Sequence, residues 1–300
     1  MIPKYKFCSL RSRVMKSPLL ILALLLGLNL SAAGPEESEA AIASFHKQLA
    51  GSDSDVKSDS LSNQMRQLFI ELFDNPETFD YSFDKLQFCK LKSSDNRIRL
   101  FNWNQPNQDG THKYYCFVLV RGKNPKDKSY TWYELKDNQN EPEKIENKYL
   151  NADKWLGALY YEIIPMDKKG RGDTYTLLGW DGKDNLTTRK IIDAISLVGS
   201  KVRIGAGIYT TDDGTRKRMI FEYSEDVSSS VKFYPKKNCI VMDHLSPKNP
   251  MMKGIYADYG PDGTYDLLMM KKGKWELIEN VDISEFVSGD ERPFIDPRKK

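Results

Sequence analysis

Histidine is scarce in this chain, with His46, His112 and His244 the only three, so imidazole chemistry has few places to occur. Only His244 in the later, strand-like part has an acid beside it, Asp243. A histidine at a strand end next to a carboxylate can act as a general base or a metal ligand. His244 and Asp243 are therefore the candidate catalytic residues. Against this, neither a Gly-x-Ser-x-Gly elbow nor a His-Glu-x-x-His pair accompanies them. Such residues more often bond the backbone of a following turn, here Leu245-Ser246-Pro247.

Two acid-rich loops invite a calcium reading: 181–185 (Asp-Gly-Lys-Asp-Asn), and Asp258 with Asp262 and Asp266. Neither has the alternating oxygens and terminal bidentate acid of a calcium loop, and acids are common in Asp-Gly turns for conformational reasons. No cofactor or metal is implied. Paired carboxylates for glycoside cleavage are seldom adjacent in sequence, and the many acids single out no pair. Trp103, Trp132, Trp155, Trp180 and Trp275 are conceivable sugar platforms, but a tryptophan in a two-faced β protein is more often core. Cys89, Cys116 and Cys239 include no Cys-x-x-Cys and read as ordinary strand or core residues.

The N-terminal 33 residues read as a targeting segment. Lys4, Lys6, Arg11, Arg13 and Lys16 form a basic stretch, an apolar run follows from Pro18 to Leu30, and Ser31-Ala32-Ala33 supplies small residues for cleavage. The apolar run is short of the about 20 residues a membrane span needs. The whole chain has 45 basic and 42 acidic residues; the segment carries five basic and no acidic ones, so 40 and 42 remain, a net of −2. This balance gives no electrostatic reason to expect nucleic-acid binding. No membrane span is expected after signal removal.

The elements that would position these groups follow from periodicity. From Glu36 to about Phe79 the pattern is helical. Ala40, Ile42, Phe45 and Leu49 share one face, and residues 51–55 break the run. Leu61, Met65, Leu68, Phe69, Leu72 and Phe73 then form a second stripe, with Ser60 or Ser62 as its cap and Asn75-Pro76 as its end. After Phe79 the period becomes two, with Asp-Gly hairpin signals at 109–110, 181–182, 213–214 and 262–263. Strands are expected near 86–91, 97–103, 113–121, 130–136, 157–165, 174–180, 202–210, 217–223, 230–234, 238–244, 254–259, 264–270 and 274–278. Residues 186–198 suit a strand or a short helix equally. From Tyr114 to Val120 both faces are apolar, which requires a sheet covered on both sides.

The fold expected is mainly β: antiparallel hairpins in stacked sheets, as a sandwich, barrel or small propeller-like array, with an N-terminal helical segment. The expected division is a signal peptide over 1–33, a helical segment over 34–78, a β domain over 79–285 and a polar tail over 286–300.

As a set, the runs 79–84 (FDYSFD), 99–104 (RLFNWN), 155–161 (WLGALYY), 175–181 (YTLLGWD) and 243–247 (DHLSP) resemble an uncharacterised family of exported proteins from Bacteroidota. The likeness covers about residues 60–282. It implies a compartment and a type of organism but no activity. It also makes Asp59-Ser60-Leu61 similar to the O-glycosylation site of that phylum, with a helix cap as the competing reading. The function expected is that of a periplasmic or secreted, non-catalytic binding or envelope-associated protein, with a cell-envelope or carbohydrate ligand. Its rival is a hydrolase acting on glycan or peptide substrates.

Overall fold

A computed structural model describes residues 34–88, 90–124, 126–138, 142–166, 173–199 and 201–282. The predicted signal segment, Cys89 and the 286–300 tail lie outside them. Pro35 opens helix α1 (Pro35–Ala50), with Glu36 and Glu37 in its first turn, where the helix dipole favours negative charge. Gly51 ends it. Helix α2 (Asp55–Leu72) is capped by Ser54, whose hydroxyl accepts the Lys57 N–H at 3.3 Å. The cap is therefore not Ser60 or Ser62: both lie within α2, because the helix starts as soon as the Gly51 break allows. Asn75 caps the short 3-10 turn Pro76–Phe79.

The rest is β, in three open sheets. The first takes β1 (Lys90–Lys92), β2 (Ile98–Pro106), β3 (His112–Arg121) and β4 (Tyr130–Lys136), in that order and antiparallel throughout. In the second, β5 (Leu150–Asn151), β9 (Lys201–Ile204), β8 (Thr187–Val198), β7 (Thr174–Asp181) and β6 (Leu159–Pro165) lie in that order. The second half of β8 pairs with β9, while its first half pairs with β12 (Met219–Ser224). The third sheet runs β11 (Gly214–Arg216), β10 (Tyr209–Thr211), β16 (Lys274–Val281), β15 (Tyr259–Lys271), β14 (Cys239–Pro247) and β13 (Val231–Tyr234). Its β10–β16 pair is parallel.

Alternation along the strands assigns side chains to successive cores. On α2, Leu61, Met65, Phe69 and Leu72 press onto Phe101, Trp103, Phe117 and Leu119 of the first sheet. The opposite face of that sheet sends Leu100, Cys116 and Val118 against Tyr175, Leu177, Ile191 and Ile195 of the second. The second sheet in turn places Leu178, Ile192 and Ala194 against Ile240, Met242, Leu268 and Trp275 of the third. The stacked-sheet expectation holds, and residues 114–120 are apolar on both faces because helices cover one face and a sheet the other.

Polar ties join the layers. Arg66 of α2 forms a bidentate pair with Glu134 of β4, at 2.5 and 2.7 Å. The Arg99 guanidinium lies over the rings of Phe83 and Phe101 and donates to the carbonyls of Phe79 and Tyr81, fixing the chain that leaves α2. Between the second-sheet strands, Arg218 and Asp193 form a fully buried ion pair at 3.2 Å. The Tyr160 hydroxyl donates to Asp193 and accepts from the Trp155 indole.

Several sequence expectations require correction. The segment 186–198, open between strand and helix, resolves as strand β8 from Thr187. The strand expected at 254–259 is a loop with a 3-10 turn, Tyr256–Asp258, since Gly254 at φ +90° turns the chain there. The strand expected over 202–210 is broken at Gly205, which has φ +92°, between β9 and β10. Near 86–91 only Lys90–Lys92 pairs. Asp262-Gly263 makes no hairpin: it sits in an irregularity inside β15, where Asp262, Gly263 and Thr264 face the single residue His244. The other three Asp-Gly pairs do join neighbouring antiparallel strands.

Candidate functional site

Two of those hairpin tips meet. The Asp109-Gly110 turn joins β2 to β3 in the first sheet, and Asp181-Gly182 lies between β7 and β8 in the second. Asn185 donates from Nδ2 to the Asp109 carbonyl at 2.9 Å. The approach is close enough that a Cβ on Gly110 would lie 1.9 Å from the Asn185 side-chain oxygen, and one on Gly182 would lie 2.4 Å from His112 Nε2. At Gly110 the φ of +85° favours glycine, and at Gly182 the rings of His112 and Trp180 leave no room for a Cβ.

Beneath the tips lies a cavity of about 330 Å³, with His112, Tyr114, Asp137, Asp181, Lys183 and Arg189 in its lining. Tyr114 is the hub. Its hydroxyl donates to Asp181 Oδ1 at 3.0 Å and accepts the Gly182 N–H at 2.7 Å, while its own N–H donates to Asp137 Oδ2 at 3.0 Å. Asp137 follows directly on β4 and is bridged in parallel fashion to Trp155. Gly157 leaves room for it, since a Cβ there, at φ +82°, would come within 2.6 Å of Asp137 Oδ1.

The two acids of the cavity differ in environment. Burial pushes the Asp137 carboxyl up to about 7; the Tyr114 N–H opposes this by favouring the charged form, and the Asp181 charge adds to the rise. Its Oδ1 has no hydrogen-bond partner among the described residues. Asp181, by contrast, accepts from the Tyr114 hydroxyl and the Lys183 N–H and faces Arg189 at 3.8 Å. Burial pushes His112 down to about 4, so it is neutral at physiological pH. Its Nδ1 meets the Asn104 amide at 3.1 Å. An accepting Nδ1 places the proton on Nε2, over Gly182. Lys183 and Arg189 are held by Glu222 at 2.5 and 2.7 Å. Burial pushes Glu222 up, but these cations outweigh it and hold its carboxyl below the ordinary range.

A second recess of about 550 Å³ adjoins on the α2 side and shares Tyr114, Asp137 and Asn138 with the first. Asp137 thus faces two recesses and presents a carboxyl that can donate and accept near neutral pH. Such a group in a cleft marks a functional candidate on physical grounds.

His244 and Asp243 do not work as a pair. Asp243 accepts the Ser230 N–H at 2.7 Å, and His244 Nδ1 contacts Asp266 Oδ1 at 2.9 Å. The predicted turn contacts are also replaced, since β14 continues through both residues to Pro247. In the acid-rich loops, Asp184 accepts the Leu186 and Thr187 N–H groups, Asp258 the Asn249 N–H and Asp262 the Thr264 N–H. Asp184 and Asp262 thus cap their own turns, and Asp258 closes the loop that begins at Asn249. Among the described residues no three His, Cys, Asp or Glu side chains gather as a metal ion would need. No described helix is long and apolar enough to cross a membrane. Trp103, Trp155 and Trp275 are fully buried and are core residues, as the sequence favoured.

Sequence reading missed Asp137, Tyr114 and Arg189. Only the two Asp-Gly pairs pointed to this place, and they did so as turns. Comparison of the chain with protein-family models, with curated proteins and with solved structures returned no match.

Proposed function

We propose that this is an exported, non-catalytic binding protein that holds a hydroxyl-rich ligand, a cell-envelope carbohydrate, over the Asp137 cavity. Export rests on the signal-like order of residues 1–33. The binding site rests on one observation: Asp137, with its carboxyl at about 7, has an oxygen without a partner among the described residues in the recess. A carboxyl of this kind donates to one ligand hydroxyl and accepts from another. Cleavage of a glycosidic bond calls for two working carboxyls, whereas Asp181 is engaged by Tyr114, Lys183 and Arg189. That engagement favours binding over turnover.

A hydrolase is the second reading, favoured by the raised Asp137 pKa, which suits a general acid. The two readings separate through Asp137→Asn. Neutral oligosaccharides are titrated calorimetrically across pH 5–9, and the same mixtures are analysed for products by mass spectrometry. A binding role predicts that Asn, still a donor, keeps affinity and removes its dependence on pH around 7, while Asp137→Ala loses affinity. Product formation abolished by Asp137→Asn would establish the hydrolase instead. Failure of every oligosaccharide to bind would overturn the carbohydrate reading.

A further inference from the structure

Strand β3 runs from the Asp137 cavity at His112 to a different recess at Arg121. That recess holds about 370 Å³ and is lined by Arg97, Arg121, Lys123 and Lys201, with Asp173 the single carboxylate among the described residues of its wall. It opens between sheets, since Arg97 precedes β2, Arg121 ends β3 with Lys123 just after it, Asp173 precedes β7 and Lys201 begins β9. Asp173 is shared by Arg97 and, at 3.5 Å, by Lys123. Arg121 is paired outside the wall, to Asp80 at 2.6 and 3.1 Å. Lys201 has no carboxylate partner among the described residues. In the described wall itself four cations face one carboxylate, Asp173; Asp80, shared with Lys92, and Asp127 lie at its margin beside Arg121.

Neither guanidinium is saturated. Arg97 donates once to Asp173 and once to the Arg121 carbonyl, and Arg121 donates twice to Asp80, from the five donors each possesses. Val120, Tyr133 and Leu197 supply less polar wall. Low-dielectric walls concentrate the field of the cations in the recess, and planar guanidiniums suit tetrahedral oxyanions. We infer that this recess is an oxyanion site, taking the phosphate or sulfate group of a small molecule. The cationic wall suits an anion, and the volume lies toward the small end of ligand cavities, about 300–1,000 Å³. The site stands independently of the Asp137 reading.

The test titrates the whole protein with inorganic phosphate and, separately, inorganic sulfate at pH 7.5, with ionic strength held constant by chloride. Calorimetry and thermal melting are read together. A saturable response to either anion, absent with chloride alone, is expected, and the two affinities tell which oxyanion is preferred. The double variant Lys123→Ala/Lys201→Ala removes two exposed side chains, so it should melt like the parent without anion and bind at least tenfold more weakly. Asp137→Ala should bind the anions unchanged. No saturable response to either anion, or full affinity in the double variant, would overturn the inference.

Discussion

The Nδ1 atom of His244 lies 2.9 Å from Oδ1 and 3.0 Å from Oδ2 of Asp266 on the neighbouring strand. Asp266 is buried and also accepts the Asn280 N–H at 3.0 Å. His244→Ala leaves that carboxylate short of a donor and should cost about 1–3 kcal/mol in urea unfolding. His244→Asn, still a donor, should recover part of the loss. A His244→Ala protein as stable as the parent would show that the contact contributes nothing.

Asp137 ties stability to pH with a definite sign. Its folded value, about 7, lies above the ordinary 3.8, so between these values the folded state holds more proton than the unfolded one. Its contribution therefore falls as pH rises from about 4 to about 7 and is flat beyond. Asp80 acts oppositely: Arg121 lowers its carboxyl to about 2, and its stabilisation is lost as pH falls from about 4 toward 2. Unfolding free energies from pH 2 to 9 should lose the first trend in Asp137→Asn. Persistence of that trend would assign it to another group.

Arg218 and Asp193 are both wholly buried. Arg218→Met strands a carboxylate in the core, and the expected cost is about 3–5 kcal/mol. Combining it with Asp193→Asn should cost less than the two changes summed. Strict additivity in the double-mutant cycle would deny the coupling.

Phe69 contacts the rings of Phe101, Trp103 and Phe117 across the helix–sheet core. Phe69→Ala should cost about 3–5 kcal/mol and raise hydrogen exchange in α1 and α2 together with the first sheet. Exchange confined to the helices would mean that they open as a separate unit.

Cys116 and Cys239 are buried and not disulfide-bonded, and burial raises the Cys239 thiol. Both should resist a thiol reagent in the native protein and react on unfolding without a reductant. Immediate labelling of either in the folded state would contradict its burial.

How much was legible in advance varies by element. The α2 stripe was readable because Leu61, Met65, Phe69 and Leu72 all face one surface. The two-faced pattern of Tyr114 to Val120 announced a covered sheet, though not that helices supply one cover. At Asp262-Gly263 the turn chemistry was read correctly, since Asp262 caps Thr264, but the surrounding strand continues through it. A local turn signal does not state whether the chain reverses or only bulges.

The sequence by itself determined what depends on neighbours in the chain: the helical period, the alternation of the strands, the turn residues and the burial of aromatics. Tertiary structure alone decided which side chains meet. Asp137 and Asp181, 44 residues apart in the numbering, enter one cavity because Tyr114 on a third strand bonds both and because glycines at 110, 157 and 182 let the segments close. His244 finds Asp266, and not Asp243, because adjacent residues on a strand point to opposite faces and the irregularity in β15 sets the register. Such contacts depend on strand register and sheet stacking, which arise from packing the whole chain and leave no mark in local spacing.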